Sequence, residues 1–440
     1  MAAPPSALRN TCSLSEAATS RESDAVRIHI IGINYWPEST GIALFSTGRA
    51  EYLAAQGHQV TMCTAVPYYP EWRVSAEYRG RSFARERRAG VDIIRCPLYV
   101  PSKVTPPRRV VHEASFIAMA LLRSLFCRRP DVLFIVSPPI GLGVVAWFLG
   151  RVWWRVPYVF QVEDLQPDTA LDLGMMKRGA LMRLLYAVES LAYRHAALVS
   201  TLTSAMRARI VAKGIADAKV ILSAPWADPV LFDLPCGNEA IRRELGLGQA
   251  QLVVHAGNMG VKQGLDVVLD AAERTRDDAD VMYLLVGDGA MRPVLESKAR
   301  ALKLPNVRVI PLLPRESFLR LLAAADVCLV TQQRTVADVV FPSKVVTLLA
   351  AGKPVVASVS AGSVVAGVIA EAGAGVVVTP EDPAALADAV GALLRNPEER
   401  KRMATRGRQY ARATWERNAT LQHLEHALKG VAGRAADEQA

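Results

Sequence analysis

The hydrophobic pattern falls into short apolar runs separated by longer stretches at helical spacing. Residues 26–32 (VRIHIIG) read as a first strand, 41–56 as a helix stopped by Gly57, and 59–64 (QVTMCT) as the next strand. A short apolar run predicts a buried strand, and a glycine after the last periodic position stops a helix. Strand, helix and strand in that order predict a βαβ unit and a parallel sheet. Residues 91–95, 132–136, 158–162 and 198–201 continue the series. The run 132–149 (VLFIVSPPIGLGVVAWFL) is long enough to raise a membrane span. Pro138, Pro139 and Gly141 interrupt it, which predicts a strand, a turn and a helix instead.

The alternation restarts after residues 224–238, where Pro225, Pro229, Pro235 and Gly237 predict a linker. Six further strands are expected at 252–256, 282–286, 307–310, 327–330, 354–357 and 375–378, with helices between most of them. The expected architecture is α/β, with two doubly wound parallel-sheet domains facing across a cleft. Residues 1–24 would form a disordered tail, 25–223 the first domain, 224–238 the linker, 239–410 the second domain and 411–440 a C-terminal helix and tail. In such sheets ligands bind beyond the carboxyl ends of the strands, so the loops after the strands carry the chemistry.

Composition changes little in this picture: 51% apolar and 21% charged residues make an ordinary globular chain of 440 residues. Charge adds more. The net charge is +10, and residues 73–129 hold 13 basic against 4 acidic residues. Such a field favours anionic partners, namely phosphates or an anionic membrane surface. The arginines match no nucleic-acid reading module, so no nucleic acid is expected. Six cysteines are scattered without CxxC or Cys/His ligand spacing, which excludes a disulfide scaffold and a zinc ribbon and suits a reducing cytosol. His58, His112, His195 and His255 form no spaced cluster, so no metal is expected, and each reads as structural.

The candidate chemistry sits after strands. The loop 32–41 (GINYWPESTG) is not GxGxxG but leads into a helix N-terminus, where free N–H groups attract an anion. The loop 257–264 (GNMGVKQG) carries three glycines and Lys262, a phosphate cradle by composition. Gly287-Asp288-Gly289 reads either as a plain turn or as one that brings backbone close to a nucleobase. In 341–344 (FPSK), Ser343 is a natural N-cap, while Lys344 in the first turn opposes the helix dipole unless an anion lies there. After the strand 158–162, Asp164 reads as a ligand contact and Asp168 as a cap.

Taken in order, these pieces, with PYYPEW at 67–72, EDLQPD at 163–168 and LAAGKP at 349–354, resemble glycosyltransferase family 4, retaining enzymes of the GT-B fold. Within that family the chain is similar to exopolysaccharide transferases of the colanic-acid-biosynthesis type. The resemblance runs from about residue 27 to 418. It implies a nucleotide-diphosphate sugar donor held mainly by the second domain and a lipid-linked glycan acceptor held by the first. It also implies that Ser39, Thr40 and Gly41 approach the diphosphate, and that Gly257, Asn258, Gly260, Lys262, Gly287, Asp288, Gly289, Pro342, Ser343 and Thr347 line the donor. Three positions depart from the family pattern. Asn258 stands where an arginine is expected, Gln263 where a lysine is, and Thr347 where the second of two glutamates is. Asp338 is then the substitute for the sugar-contacting glutamate, Lys344 gains weight as the catalytic cation, and Asp164 is the candidate for orienting sugar or acceptor.

The implied reaction needs no cofactor and no metal, because its main task is to stabilise the charge of the leaving diphosphate. Two other readings compete: a sugar-nucleotide epimerase of similar fold, and a non-catalytic scaffold in a polysaccharide assembly. The segment 116–126 (FIAMALLRSLF) is bordered by Arg108, Arg109, Arg128 and Arg129, the composition of a helix lying in a membrane interface. The expectation is peripheral attachment to the cytoplasmic face of the inner membrane.

Overall fold

The computed structural model describes residues 25–38, 41–81, 83–172, 176, 179–335 and 343–437. The expected tail 1–24 lies outside them. The chain divides into two compact units. The first holds residues up to Glu163, then Leu185–Ser200 and Glu425–Ala440; the second holds Asp164–Leu184 and Thr201–Leu424.

The first sheet has eight strands: β1 (Arg27–Ile31), β2 (Gln59–Ala65), β3 (Arg85–Arg88), β4 (Val91–Cys96), β5 (Val132–Ser137), β6 (Tyr158–Val162), β7 (Leu198–Thr201) and β8 (Val220–Leu222). Their order is β3-β4-β2-β1-β5-β6-β7-β8. β1 pairs in parallel with β2 and β5, β2 with β4, and β5 with β6. Every residue of β5 (VLFIVS) is buried, as a strand covered on both faces requires. The long apolar run therefore resolves into β5, a turn and the helix Leu142–Trp147. Among the described residues no helix is long and apolar enough to cross a membrane. Two strands escaped the sequence reading. β3 (RERR) has no apolar residue and pairs antiparallel with β4 at the edge of the sheet. Charged residues on an edge strand discourage pairing with another chain, which also hides the strand from a hydrophobicity scan. The other, β8, is three residues long.

The second sheet has the six strands expected: β9 (Gln251–Ala256), β10 (Val281–Val286), β11 (Val307–Ile310), β12 (Val327–Thr331), β13 (Val355–Ser358) and β14 (Gly375–Val378). The order is β11-β10-β9-β12-β13-β14, and every pairing is parallel. Alternate residues serve opposite faces. Leu252 and Val254 of β9 join one core cluster, with Leu284 and Val286, while Val253 joins the other, with Tyr283 and Leu285. That period of two is why continuous apolar runs suit these strands.

The segment read as a linker carries a short 3-10 turn, Pro229–Asp233, and buries Ala227, Leu231 and Phe232 in the core of the second unit. The last helix, Arg417–Asp437, ends in the first unit. There Glu425 accepts hydrogen bonds from Tyr52 Oη and pairs with His58 Nε2, each at 3.3 Å.

Candidate active site

The loops after β9 and β10 interlock through their backbones. Gly257 N donates to Val286 O at 2.8 Å, Met259 N to Asp288 O at 2.8 Å, and Met291 N to Met259 O at 2.9 Å. Side chains are excluded from this contact. A Cβ on Gly287 would lie 1.8 Å from Gly257 O, and one on Gly289 would lie 2.6 Å from Met259 O. Both glycines also have positive φ, +153° and +148°, which L side chains rarely adopt. Asn258 fits where an arginine was expected because its side chain packs beside Gly260 and Gly289. The loop does not run straight into a helix. It makes a 3-10 turn, Val261–Gln263, that contains Lys262, and Gly260 N donates to Gln263 Oε1 at 3.1 Å before the helix Asp266–Arg274 begins. Asp288 is turned to solvent, accepts from Gly289 N at 2.8 Å, and pairs with Arg292 at 3.5 Å.

Lys344 reaches this turn from the helix Ser343–Ala350. Its Cε and Nζ lie against Gly257, where a Cβ would meet them at 3.2 and 3.4 Å. Its Nζ is 3.1 Å from Nε2 of His255, a wholly buried residue of β9. Burial lowers the Lys344 ammonium to about 7, and it lowers the His255 imidazole well below its ordinary range, with the Lys344 charge adding to the effect. Ser343 is the first residue of the helix rather than the cap before it. Thr347 Oγ1 donates to Ser343 O of its own helix at 3.4 Å. Ser39, Thr40, Asp338 and Pro342 lie outside the described residues.

The acidic motif after β6 distributes its side chains differently from the sequence reading. Glu163 forms a buried ion pair with Arg49, Oε1 to Nη1 at 2.6 Å, within the first unit. Asp164, two residues before the helix Gln166–Asp172, accepts the Thr169 hydroxyl at 2.7 Å. Asp168, expected to cap, is instead ion-paired with Lys213. Helix geometry explains why Asp168 does not cap, because a cap stands before the first turn and Asp168 is already inside it.

A cavity of about 390 Å³ opens in the first unit. Tyr68, Tyr69 and Trp72 of the PYYPEW motif wall it, with Gly41, Arg109 and His112 among the rest. Gly41 has φ +60° just before the helix Ile42–Ala55. The buried Glu38 braces the wall, since its Oε1 accepts Tyr68 N and Tyr69 N at 3.0 and 2.9 Å and its Oε2 accepts Asn34 Nδ2 at 2.8 Å. Burial outweighs these bonds and raises its carboxyl. His112 stacks edge-on with Tyr68 at 4.6 Å and donates from Nδ1 to Tyr99 O at 2.6 Å. Sequence reasoning missed His112, His255 and the Arg49–Glu163 pair, whose partners are distant in the chain. Among the described residues no three His, Cys, Asp or Glu side chains come together as ligands of a metal would.

The description "Glycosyl transferase 4-like domain" matches residues 40–226, and "Glycosyl transferases group 1" matches residues 237–410. The chain is 32% identical to the putative colanic acid biosynthesis glycosyl transferase WcaI of Escherichia coli K12, over 92% of this chain and 100% of that one. The chain belongs to the glycosyltransferases. Solved structures agree on the GT-B architecture. Sucrose-phosphate synthase from Thermosynechococcus elongatus superposes with a TM-score of 0.71 at 18% identity, covering 93% of this chain and 100% of its own. Anabaena HepE in complex with UDP-glucose gives 0.68 at 16% identity, covering 92% and 100%. This chain is therefore a GT-B glycosyltransferase similar to the WcaI type, with its glycine loops in the group 1 region and its aromatic cavity in the 4-like region.

Proposed function

We propose that this glycosyltransferase moves a sugar from a nucleotide-diphosphate donor to a lipid-linked glycan acceptor in exopolysaccharide synthesis, with retention of anomeric configuration. The observation that carries the reading is the interlock of Gly257, Gly287 and Gly289 with the Lys344 amine against it. The two loops present main chain with no side chain between them, and the half-buried Lys344 supplies charge beside Gly257. That is a fitting environment for a diphosphate and a poor one for a neutral metabolite. HepE, a relative in fold, has been solved with UDP and with UDP-glucose.

In this reading the bond from the anomeric carbon to the diphosphate oxygen breaks, and a bond to the acceptor oxygen forms on the same face. The acceptor proton passes to the departing phosphate, so no side-chain base is required. Lys344 stabilises the negative charge that grows on the leaving group, where preorganised donors have their largest effect. Thr347 supplies one hydroxyl toward the ribose, less than a carboxylate would accept. Asp338 takes the sugar-contacting role, and Asp164, tied to Thr169, orients the sugar or acceptor. Divalent metal has no part in the proposed step.

The acceptor reading draws on the helix Pro106–Leu125. His112, Phe116, Ala120 and Ser124 form its buried stripe. Opposite lies a second stripe at the same spacing, Val110, Ala114, Ala118 and Leu122, continued by Phe126, and it is exposed. A helix apolar on two faces, flanked by arginines, suits a lipid surface on its free side. Trp153 is also exposed in the first unit.

The test is a thermal-shift screen of the full chain with UDP-, GDP-, dTDP- and CMP-sugars, followed by transfer with the donor that binds. Ligand binding raises the melting point by mass action. Release of nucleoside diphosphate only when a lipid-linked acceptor is added supports transfer. Isomerised donor without acceptor would establish an epimerase instead.

A further inference from the structure

His255 lies at the end of β9 with no exposure to solvent, and a wholly buried histidine usually serves a partner. Its partner is Lys344, Nε2 to Nζ at 3.1 Å, from a helix 89 residues along the chain. Whenever the lysine is an ammonium, with three N–H donors and no acceptor, the imidazole is neutral and offers its Nε2 lone pair. This uses one donor of Lys344 and fixes the direction of the other two. The same lysine rests on Gly257, where a Cβ would crowd it.

We propose that His255 is a positioning residue for the donor site: its neutral imidazole accepts a hydrogen bond from Lys344, holds the amine against the Gly257 turn, and so lets a diphosphate arriving there draw a proton onto the lysine. The inference rests on the reading of these loops as the diphosphate site. Burial explains the proton step. Without an anion the lysine is held down to about 7, so a large fraction is neutral at physiological pH. A diphosphate beside it restores the ordinary preference for the charged form. Among the described residues, the titratable groups that act on Lys344 are His255 of β9 and Cys328 of β12. The Cys328 thiol is pushed up to about 12 by burial, so both are uncharged near neutrality.

The sign follows from linkage. The bound state holds more protons than the free state between the free and bound values, so affinity falls as pH rises above about 7. The experiment is isothermal titration calorimetry of UDP and GDP into the full chain between about pH 6.5 and 8.5, in two buffers of different ionisation enthalpy. Wild type is expected to take up a fraction of a proton that grows with pH, with Kd weakening by up to about tenfold per unit. Lys344→Arg, which stays charged, abolishes the uptake. His255→Gln keeps an acceptor and binds within about threefold of wild type, while His255→Leu binds at least about tenfold more weakly and moves the uptake curve to lower pH.

Nucleotide binding without proton uptake in wild type overturns the inference, and that measurement needs no variant. A folded His255→Leu protein with wild-type affinity and uptake overturns it equally. In both results the donor reading survives because nucleotide binds. If UDP and GDP do not bind wild type, and no nucleotide sugar of the thermal-shift screen binds either, this inference falls together with the donor reading on which it rests.

Discussion

At the scale of residues, the donor loops depend on two kinds of constraint, one cation and several missing side chains. Lys344→Ala removes the cation without disturbing the core, since Val345, Val346, Leu348 and Leu349 of the same helix carry its packing. Transfer is expected to fall by roughly 30- to 1,000-fold, the cost of losing one preorganised donor to a developing oxyanion, about 2–4 kcal/mol. The melting point should change little. Steady-state turnover with the matched donor checks this, and wild-type turnover would remove Lys344 from the site. Gly287→Ala acts oppositely. Its Cβ would overlap Gly257 O at 1.8 Å, on a backbone of φ +153°. Urea unfolding should show a loss of about 3 kcal/mol or more, with weakened nucleotide binding. Unchanged stability would mean that the two loops are not interlocked.

At the scale of elements, the helix Pro106–Leu125 divides its apolar residues between two faces. Sequence composition suggested an interfacial helix. The structure has one face doing the packing and leaves Val110, Leu122 and Phe126 at 66%, 44% and 75% exposure on the other. Co-sedimentation with anionic vesicles is therefore expected, reduced by salt and by replacing Arg108, Arg128 and Arg129 with Ser. Each basic residue near an anionic surface contributes about 1 kcal/mol. Replacing Leu122 and Phe126 with Ser should weaken binding even at low salt. Failure to bind either anionic or neutral vesicles under any salt condition would refute membrane attachment.

At the scale of the whole molecule, two parallel sheets, each followed by its own loops, were legible because local patterns encode them. All six strands of the second sheet fall where apolar runs placed them. The edge strand β3 was invisible because its only structural cue is pairing with β4. The proposed chemistry relies on a protein cation and backbone, so transfer should persist in EDTA. A radiolabelled-donor assay with and without chelator decides it. Activity abolished by EDTA and restored by Mn²⁺ or Mg²⁺ would assign the leaving-group role to a metal.

The sequence by itself determined most of the strands and helices in their order, the two α/β domains and the positions of the glycine loops after β9 and β10. Hydrophobic period, turn chemistry and glycine placement act over a few residues and are readable there. Tertiary structure alone decided which side chains meet. Arg49 and Glu163 stand 114 residues apart in the chain, and His255 and Lys344 stand 89 apart. Asp168 sits inside the first turn and pairs with Lys213 instead of capping, and Glu425 lies in the first unit beside His58. Those pairings depend on where the sheets bring distant segments together, and a buried polar group takes whichever partner packing leaves within hydrogen-bond reach.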